Sequence, residues 1–353
     1  MTLNEALKLI EPANKIEMIK AKKRFDSIAK PIASLGKLED IIIKCAGITS
    51  SNDIDFSKKC VVVMCADNGI IEENVSQSKN DITTIVAKNI AMGNGNINVI
   101  SKTVGADVFP IDIGIKDEIS QIGLENKKIM NGTNNMLQMP EMSEIECIKA
   151  IEIGIGKVLE LKNKGYRLIA TGEMGIGNTT TASAITCAIL RVCPKEITGK
   201  GAGLPQSVVE HKAEVIRKVL EARKVDRTNP IDVLSKVGGL DIAGLVGIFI
   251  GGSAFKVPIL IDGVISASAA LCASLFDKNI IDYMFPSHLS AEKSADMILK
   301  KLSLYPLANL DMCLGEGTGA VCVMPFFDIG ANVYNQMSSF NDFCIEQYEE
   351  YDK

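Results

Sequence analysis

The sequence predicts an α/β fold, a parallel sheet wrapped by helices on both faces, with a small helical satellite. Three observations carry this reading. Four short β-rich runs, Val61 to Met64, Val108 to Ile113, Leu168 to Ala170 and Val257 to Ile261, each lead into a segment bearing Gly or Asp. Between them lie helical patterns, at Asp81 to Met92, Ser143 to Lys164, Gln206 to Lys218 and Asp241 to Phe249, with apolar residues returning every three or four positions. Strands that alternate with helices in this way imply parallel pairing. The first 55 or so residues break the pattern. Asn4 to Leu9 and Ile16 to Ile28 read as helices, and "KPIASLGKLEDIIIKCAG" reads as a loop running into a third.

In an open parallel sheet, ligands sit beyond the carboxyl ends of the strands. The Gly- and Asp-bearing segments fall at those ends, so they are where a site is expected. The polar stretch Asn131 to Asn135, "NGTNN", reads as a connector.

Composition narrows the function classes. The chain has 353 residues, 47% hydrophobic and 23% charged, which is the profile of a globular protein with room for a large core. A net charge of −5 argues against a nucleic-acid partner, because affinity for phosphate backbones needs a basic face. The most apolar region, Ile242 to Phe276, is interrupted by Lys256 and Asp262, and the remaining runs are too short to span a bilayer. The start, "MTLNEALKLIEP", lacks the basic-then-apolar profile of a secretory signal, and the expectation is a cytoplasmic protein. Ten cysteines without a C-x-x-C pair read as reduced thiols. With only His211 and His288 in the chain, a His-rich metal centre is excluded, and no metal or cofactor is expected. No P-loop, nucleophile elbow or G-x-G-x-x-G is present. A nicotinamide dehydrogenase is therefore weakly supported.

The segment "GEMGIGNTTTAS", residues 172–183, follows a strand and precedes a small-residue helix. Amides of Gly175, Gly177 and Asn178 at such a helix start can bind phosphate without a cation. Thr179 and Thr180 can equally be caps of that helix. Glu173 fits neither reading, since a carboxylate repels phosphate, and it should face a hydroxyl or a cationic group. "LGEGTGA", residues 314–320, sets Glu316 between glycines, where a substrate ring can approach the backbone. A carboxylate there, its pKa raised by burial, can take a proton from a weakly acidic nitrogen or hydroxyl. "TGKGAGLP", with Lys212 two turns into the next helix, offers a second anion cradle and a mobile cation. "PSHLSAEK" places Ser290 at an expected N-cap, and His288 reads as structural.

These segments, in this order, resemble the nicotinate mononucleotide:dimethylbenzimidazole phosphoribosyltransferase family of cobalamin biosynthesis. The likeness runs through "KPIASLGKLE", "ADNGI", "DIGI", "GTNNM", "GEMGIGNTT", "DVLSKVGGLDIAGLVG", "ILIDGVISASAA", "PSHLSAEK" and "LGEGTGA". The resemblance implies transfer of 5-phosphoribosyl from nicotinate mononucleotide to the base that becomes the lower ligand of a cobamide, with inversion at the anomeric carbon and release of nicotinate. It implies that Glu316 is the general base. It assigns phosphate and ribose contacts to Glu173, Gly175, Gly201, Lys212, Gly263 and Ser290, and the base pocket to Ser78, Val86, Met174 and Leu314. It further implies a Rossmann-like sheet in a large domain, residues 59–324, and a small helical domain from residues 1–58 plus about 325–353. The expected assembly is a homodimer in which "KPIASLG" belongs to a lid over the neighbour's site.

Three departures from the family stand out. Asn68 replaces the His of "ADHG", Ile32 and Ala33 stand within the usual "KPPGSLG", and Val86 falls where some members have Gln. Loss of that amide suggests a shift towards other benzimidazoles, purines or phenols. The alternatives are a paralogue that works as one subunit of a hetero-oligomer, or a nucleotide-binding partner whose chemistry has lapsed.

Overall fold

The computed structural model describes residues 1–78, 81–199, 203 and 205–348. Six strands form one wholly parallel sheet: β1 (Lys59–Ala66), β2 (Ala106–Gly114), β3 (Glu125–Asn126), β4 (Leu168–Met174), β5 (Ile259–Ile261) and β6 (Met284–Pro286). Their order is β3-β2-β1-β4-β5-β6. That is the doubly wound order in which the strand sequence reverses between β1 and β4, opening a crevice at their carboxyl ends. A second, two-stranded sheet pairs β7 (His288–Leu289) with β8 (Ala308–Asn309). The four strands expected from the sequence are all present. Strands β3, β6, β7 and β8 were not expected, because each is only two or three residues long, and the one apolar stretch among them, Met284–Pro286, ends in proline.

Helices α1 (Leu3–Leu7), α2 (Lys15–Ser27) and α3 (Lys37–Thr49) precede the sheet. The crossovers are made by α4 (Asp81–Ala91) and α5 (Asn96–Val104), then α6 (Glu144–Asn163). Between β4 and β5 run α7 (Asn178–Leu190), α8 (Pro194–Ile197), α9 (Gln206–Arg223), α10 (Pro230–Val237) and α11 (Leu240–Phe255). Helices α12 (Val264–Ala273), α13 (Ser294–Lys301), α14 (Thr318–Cys322) and α15 (Met324–Gln336) complete the chain.

The two-residue period of the strands divides the core. Cys60, Val62, Met64 and Ala66 of β1 point into a cluster with α6, α7, α10, α11 and α12. Val61, Val63 and Cys65 point the other way, into a cluster that includes Phe25, Ile41, Phe327 and Tyr334 from α2, α3 and α15. Strand β1 is buried along its whole length, as expected when both faces are covered. Helix α11 is buried at every position. Its backbone meets that of α6 directly, since a Cβ on Gly247 would lie 2.0 Å from Ile151 O and one on Gly154 would lie 2.1 Å from Gly244 O. Among the described residues no helix is long and apolar enough to cross a membrane.

The pairing of β1 with β2 shifts register between Cys65 and Ala66. This irregularity sits where β1 delivers Asp67 and Asn68 to the crevice, the position at which bulges re-aim the chain near functional sites. Ahead of the sheet, the "KPIASLG" loop is tied by Glu39, whose Oε1 accepts from Lys30 Nζ at 2.8 Å and from the Leu35 N–H at 3.0 Å.

Within that loop Ala33 has φ 53, a left-handed conformation that disfavours a Cβ. Glycine adopts this conformation without cost. Ala33→Gly is therefore expected to raise stability by about 1 kcal/mol, read as a higher urea midpoint with an unchanged slope. A lower midpoint would contradict the strain.

Candidate active site

A cavity of ≈ 270 Å³ opens at the carboxyl ends of β4 and β5. Its wall brings together almost all the residues singled out from the sequence. Glu173, Met174, Gly175, Gly177 and Asn178 come from the end of β4 and the start of α7. Gly263 and Ser290 lie beyond β5 and β7, Leu314 and Glu316 in the turn before α14, Ser78 ahead of α4 and Val86 within it. Two of the expected residues are not in that wall. Gly201 lies outside the described residues. Lys212 is buried behind the wall and donates from Nζ to Thr179 Oγ1 at 2.8 Å. It is thus not a mobile surface cation, because α9 packs it inside, and its partner Thr179, not Lys212 itself, lines the cavity.

Glu316 stands in an unusual backbone. Gly315, Glu316 and Gly317 have φ of 87, 61 and 85, and Gly317 leads directly into α14. The turn lies so close over β4 that a Cβ on Gly172 would come within 2.7 Å of Glu316 O. A left-handed Glu costs on the order of 1 kcal/mol and persists only where its surroundings hold it. Asp262 supplies the hold. Its Oδ2 accepts from the Gly317 N–H at 3.1 Å and its Oδ1 from the Ala320 N–H at 2.9 Å. The Glu316 carboxylate is oriented from the opposite side, where Oε2 accepts from the Ile97 N–H at 3.4 Å in the first turn of α5. Burial raises the Glu316 pKa, the Ile97 and Asn96 hydrogen bonds oppose that rise, and the charge of Asp262 adds to it.

Beneath the cavity runs a buried polar network. The Asn178 side-chain amide donates to both Glu173 Oε2 and Asp241 Oδ2, the latter at 2.9 Å. Asn68 Oδ1 accepts from Thr181 Oγ1 at 2.8 Å. Burial, reinforced by the nearby charge of Asp241, pushes Glu173 up to about 8. Burial likewise pushes Asp241 up to about 6. At neutral pH Glu173 therefore holds its proton and can donate a hydrogen bond into the cavity.

Several expectations need correction. The Asn178 backbone N–H does not face outward: it closes a turn on Gly175 O at 3.1 Å, and the residue acts through its side chain. Ser290 is not an N-cap, because α13 begins after Lys293, and Ser290 Oγ instead accepts from the Glu292 N–H at 3.4 Å. Thr179 and Thr180 do not cap α7, whose N-cap is Gly177 without a side-chain bond. His288 is buried but lines the cavity, with Nδ1 2.9 Å from Ser287 Oγ. Asn68 is also buried, below the wall rather than in it.

Sequence reasoning passed over Asp262, Asp241 and Glu292. Asp262 had a signal, since it closes the β-rich run Val257 to Ile261, and strand ends are where the site was expected. Asp241 had none, because its partner Asn178 is distant in sequence.

A profile of the phosphoribosyltransferase family matches residues 10–345. A nicotinate-nucleotide–dimethylbenzimidazole phosphoribosyltransferase of Acetivibrio thermocellus is 44% identical over 347 residues, covering 98% of this chain and 99% of that protein. A protein of the same name from Clostridium acetobutylicum is 44% identical over 350 residues, 99% of each chain. The crystal structure of CobT from Thermus thermophilus superposes with a TM-score of 0.90 at 31% identity, covering 94% of this chain and all of that one. Matched along nearly its whole length in sequence and in fold, the chain belongs to the nicotinate-nucleotide–dimethylbenzimidazole phosphoribosyltransferase family.

Proposed function

We propose that the protein transfers 5-phosphoribosyl from nicotinate mononucleotide to an aromatic lower-ligand base, dimethylbenzimidazole or a relative of it, giving an α-ribazole 5′-phosphate and nicotinate. The observation that carries this reading is Glu316, held in the cavity wall by Asp262 with a pKa above the usual carboxylate range. The imine nitrogen of the base attacks C1′ with its lone pair. The C1′–N bond to the pyridinium breaks, and its electron pair goes to the ring nitrogen, so nicotinate leaves with a neutral ring. No proton has to be supplied to that leaving group. The bound base now carries an excess proton on its other nitrogen, which passes to Glu316. Protonated Glu173 is placed to hydrogen-bond a ribose hydroxyl, and the positive charge that builds at C1′ is stabilised by the acidic wall. The phosphate is assigned to the start of α7 with Ser290, Gly263 and Lys212.

Glu316→Gln is expected to lower kcat about 10²–10⁴-fold while nicotinate mononucleotide still binds. In the unsubstituted protein, kcat/KM should rise with pH as Glu316 loses its proton, through a midpoint above that of an ordinary carboxylate. It should fall again near pH 8, where Lys212, lowered by burial to about 8, loses its charge and Glu173 loses its proton. A pH series of nicotinate release for both proteins checks this. An undiminished rate in the variant would rule out Glu316 as the base.

The base end of the cavity is apolar, walled by Val75, Val86, Met174 and Leu314, with Ser78 as a hydroxyl nearby. With valine at position 86, that position gives no amide to the distal edge of a base, and the one amide in this part of the lining, Gln77, donates to Gly203 O at 3.2 Å. We therefore infer broadened selectivity, towards other benzimidazoles, purines or phenols. Nicotinate release measured over such a panel should vary by less than about tenfold and should narrow in Val86→Gln, a contact worth about 1 kcal/mol. Strict preference for dimethylbenzimidazole in the unsubstituted chain would contradict this.

We also assign the working unit to a homodimer in the cytoplasm. Residues 1–58 with about 325–353 would form the small domain that closes the neighbour's site over the 59–324 domain. Exposed Ile16, Ile19 and Ile329 support this by offering apolar surface on α2 and α15.

A further inference from the structure

Four carboxylates line the cavity, Glu173, Asp262, Glu292 and Glu316, and among the described residues no Lys or Arg does. The phosphate of a substrate must nevertheless be held there. A source of positive charge stands one side chain behind the wall. Lys212 is 1% exposed, and among the described residues it forms no ion pair and a single hydrogen bond, from Nζ to Thr179 Oγ1 at 2.8 Å. Thr179 lines the cavity, and Lys212 does not. This bond sets the polarity of the threonine. An ammonium only donates, so it takes a lone pair of Oγ1 and leaves the O–H proton to be given elsewhere. Among the described residues nothing accepts that proton.

Other hydroxyls of the wall are already engaged. Thr318 Oγ1 donates to Gly315 O at 2.7 Å, and Ser266 Oγ lies 2.6 Å from Thr171 Oγ1. The Thr179 main chain adds a second donor to its side chain. At the start of α7 the N–H groups of Asn178, Thr180 and Thr181 close turns on Gly175 O and Gly177 O, whereas that of Thr179 has no acceptor among the described residues. One residue thus offers an O–H and an N–H, donors of the kind an oxyanion takes up. An oxygen bonded to the hydroxyl would lie within about 5.5 Å of Lys212 Nζ. At that range an opposite charge is still felt.

We propose that Thr179 is a phosphate-binding residue, a hydroxyl held as a donor by Lys212 that carries the effect of the buried ammonium to the phosphate of the substrate. This rests on the phosphoribosyl reading of the cavity. Lys212 is then a positioning residue, which orients the Thr179 hydroxyl and offsets the phosphate charge without reaching it. The arrangement also answers a need of the lysine. A buried ammonium without a counter-ion is costly, and a phosphate dianion bound beyond Thr179 supplies one. A nucleoside, lacking the phosphate, gains nothing from either group.

The test is titration calorimetry with inorganic phosphate at pH 7 on the full chain, on Thr179→Val, Thr179→Ser and Lys212→Met, and on Thr179→Val combined with Lys212→Met. Thr179→Val keeps the shape and removes the hydroxyl, and should weaken phosphate binding about ten- to a hundredfold. The KM for nicotinate mononucleotide should rise in parallel, with kcat changed less. Thr179→Ser keeps the hydroxyl and should bind phosphate close to the parental strength. Adding Lys212→Met to Thr179→Val should cost little more than Lys212→Met alone. If Thr179→Val does not fold, Thr179→Ala, which leaves room for a water on the ammonium, gives the same comparison. Parental affinity in a variant without the hydroxyl, an equal loss in Thr179→Ser, or no phosphate binding by the unsubstituted protein would overturn the proposal. So would losses that multiply in the double variant, since Lys212 would then reach the phosphate by itself. If the unsubstituted protein binds phosphate but releases no nicotinate with any base, the transferase reading fails, while the comparison of variants still decides the role of Thr179.

Discussion

Both oxygens of Asp262 are committed to backbone N–H groups of the 317–320 segment, and the geometry of the site follows from that one attachment. The turn it holds carries three consecutive left-handed residues, the middle one a glutamate. Such a backbone does not persist unaided. Asp262 sits at the end of a strand fixed on both sides within the parallel sheet, so the rigidity of β5 is passed to the 315–317 turn. Glycine at 172 allows the turn to lie on β4, and the amide of Ile97 aims the Glu316 carboxylate. Three segments far apart in sequence, α5, β4 and the end of β5, thus meet at one turn.

The electrostatics suit a reaction that moves positive charge. The leaving ring is a pyridinium, the reacting carbon passes through an oxocarbenium-like state, and the incoming base ends with a surplus proton. Those carboxylates of the wall that are ionised stabilise each of these, and protonated Glu173 takes no part in that. Most acids of the wall are buried, and burial raises the pKa of Glu173, Asp262 and Glu316 in it and of Asp241 beneath it. Asn178 keeps Glu173 and Asp241 apart by giving a hydrogen bond to each. Without that shared amide, two buried carboxyl groups would compete for one proton. Positive charge is kept behind this wall, where Lys212 is buried and donates to the Thr179 hydroxyl.

Much of the site was legible in the sequence because it lies on glycine-rich turns at strand ends. There, residue type and position are both constrained by the sheet. Glu316, Glu173 and Gly175 were found on that ground, and the cavity gathers them. The four long strands were legible for the same reason, being apolar runs ending in Gly or Asp. What escaped depends on contacts between distant segments. No local pattern tells that Asn178 will spend its side chain on Asp241 or that α9 will bury Lys212 behind Thr179. The shortest strands escaped because pairing, not composition, makes them strands.

If Asp262 acts by holding Glu316, the two residues form one functional unit, and a double-substitution cycle on nicotinate release measures this directly. Asp262→Asn keeps the size of the side chain but turns one acceptor into a donor against an N–H. It should lower kcat by at least about 10²-fold. Adding Glu316→Gln to it should cost little more than Glu316→Gln alone. Losses that multiply in the double variant, or a near-normal rate in Asp262→Asn, would contradict the account.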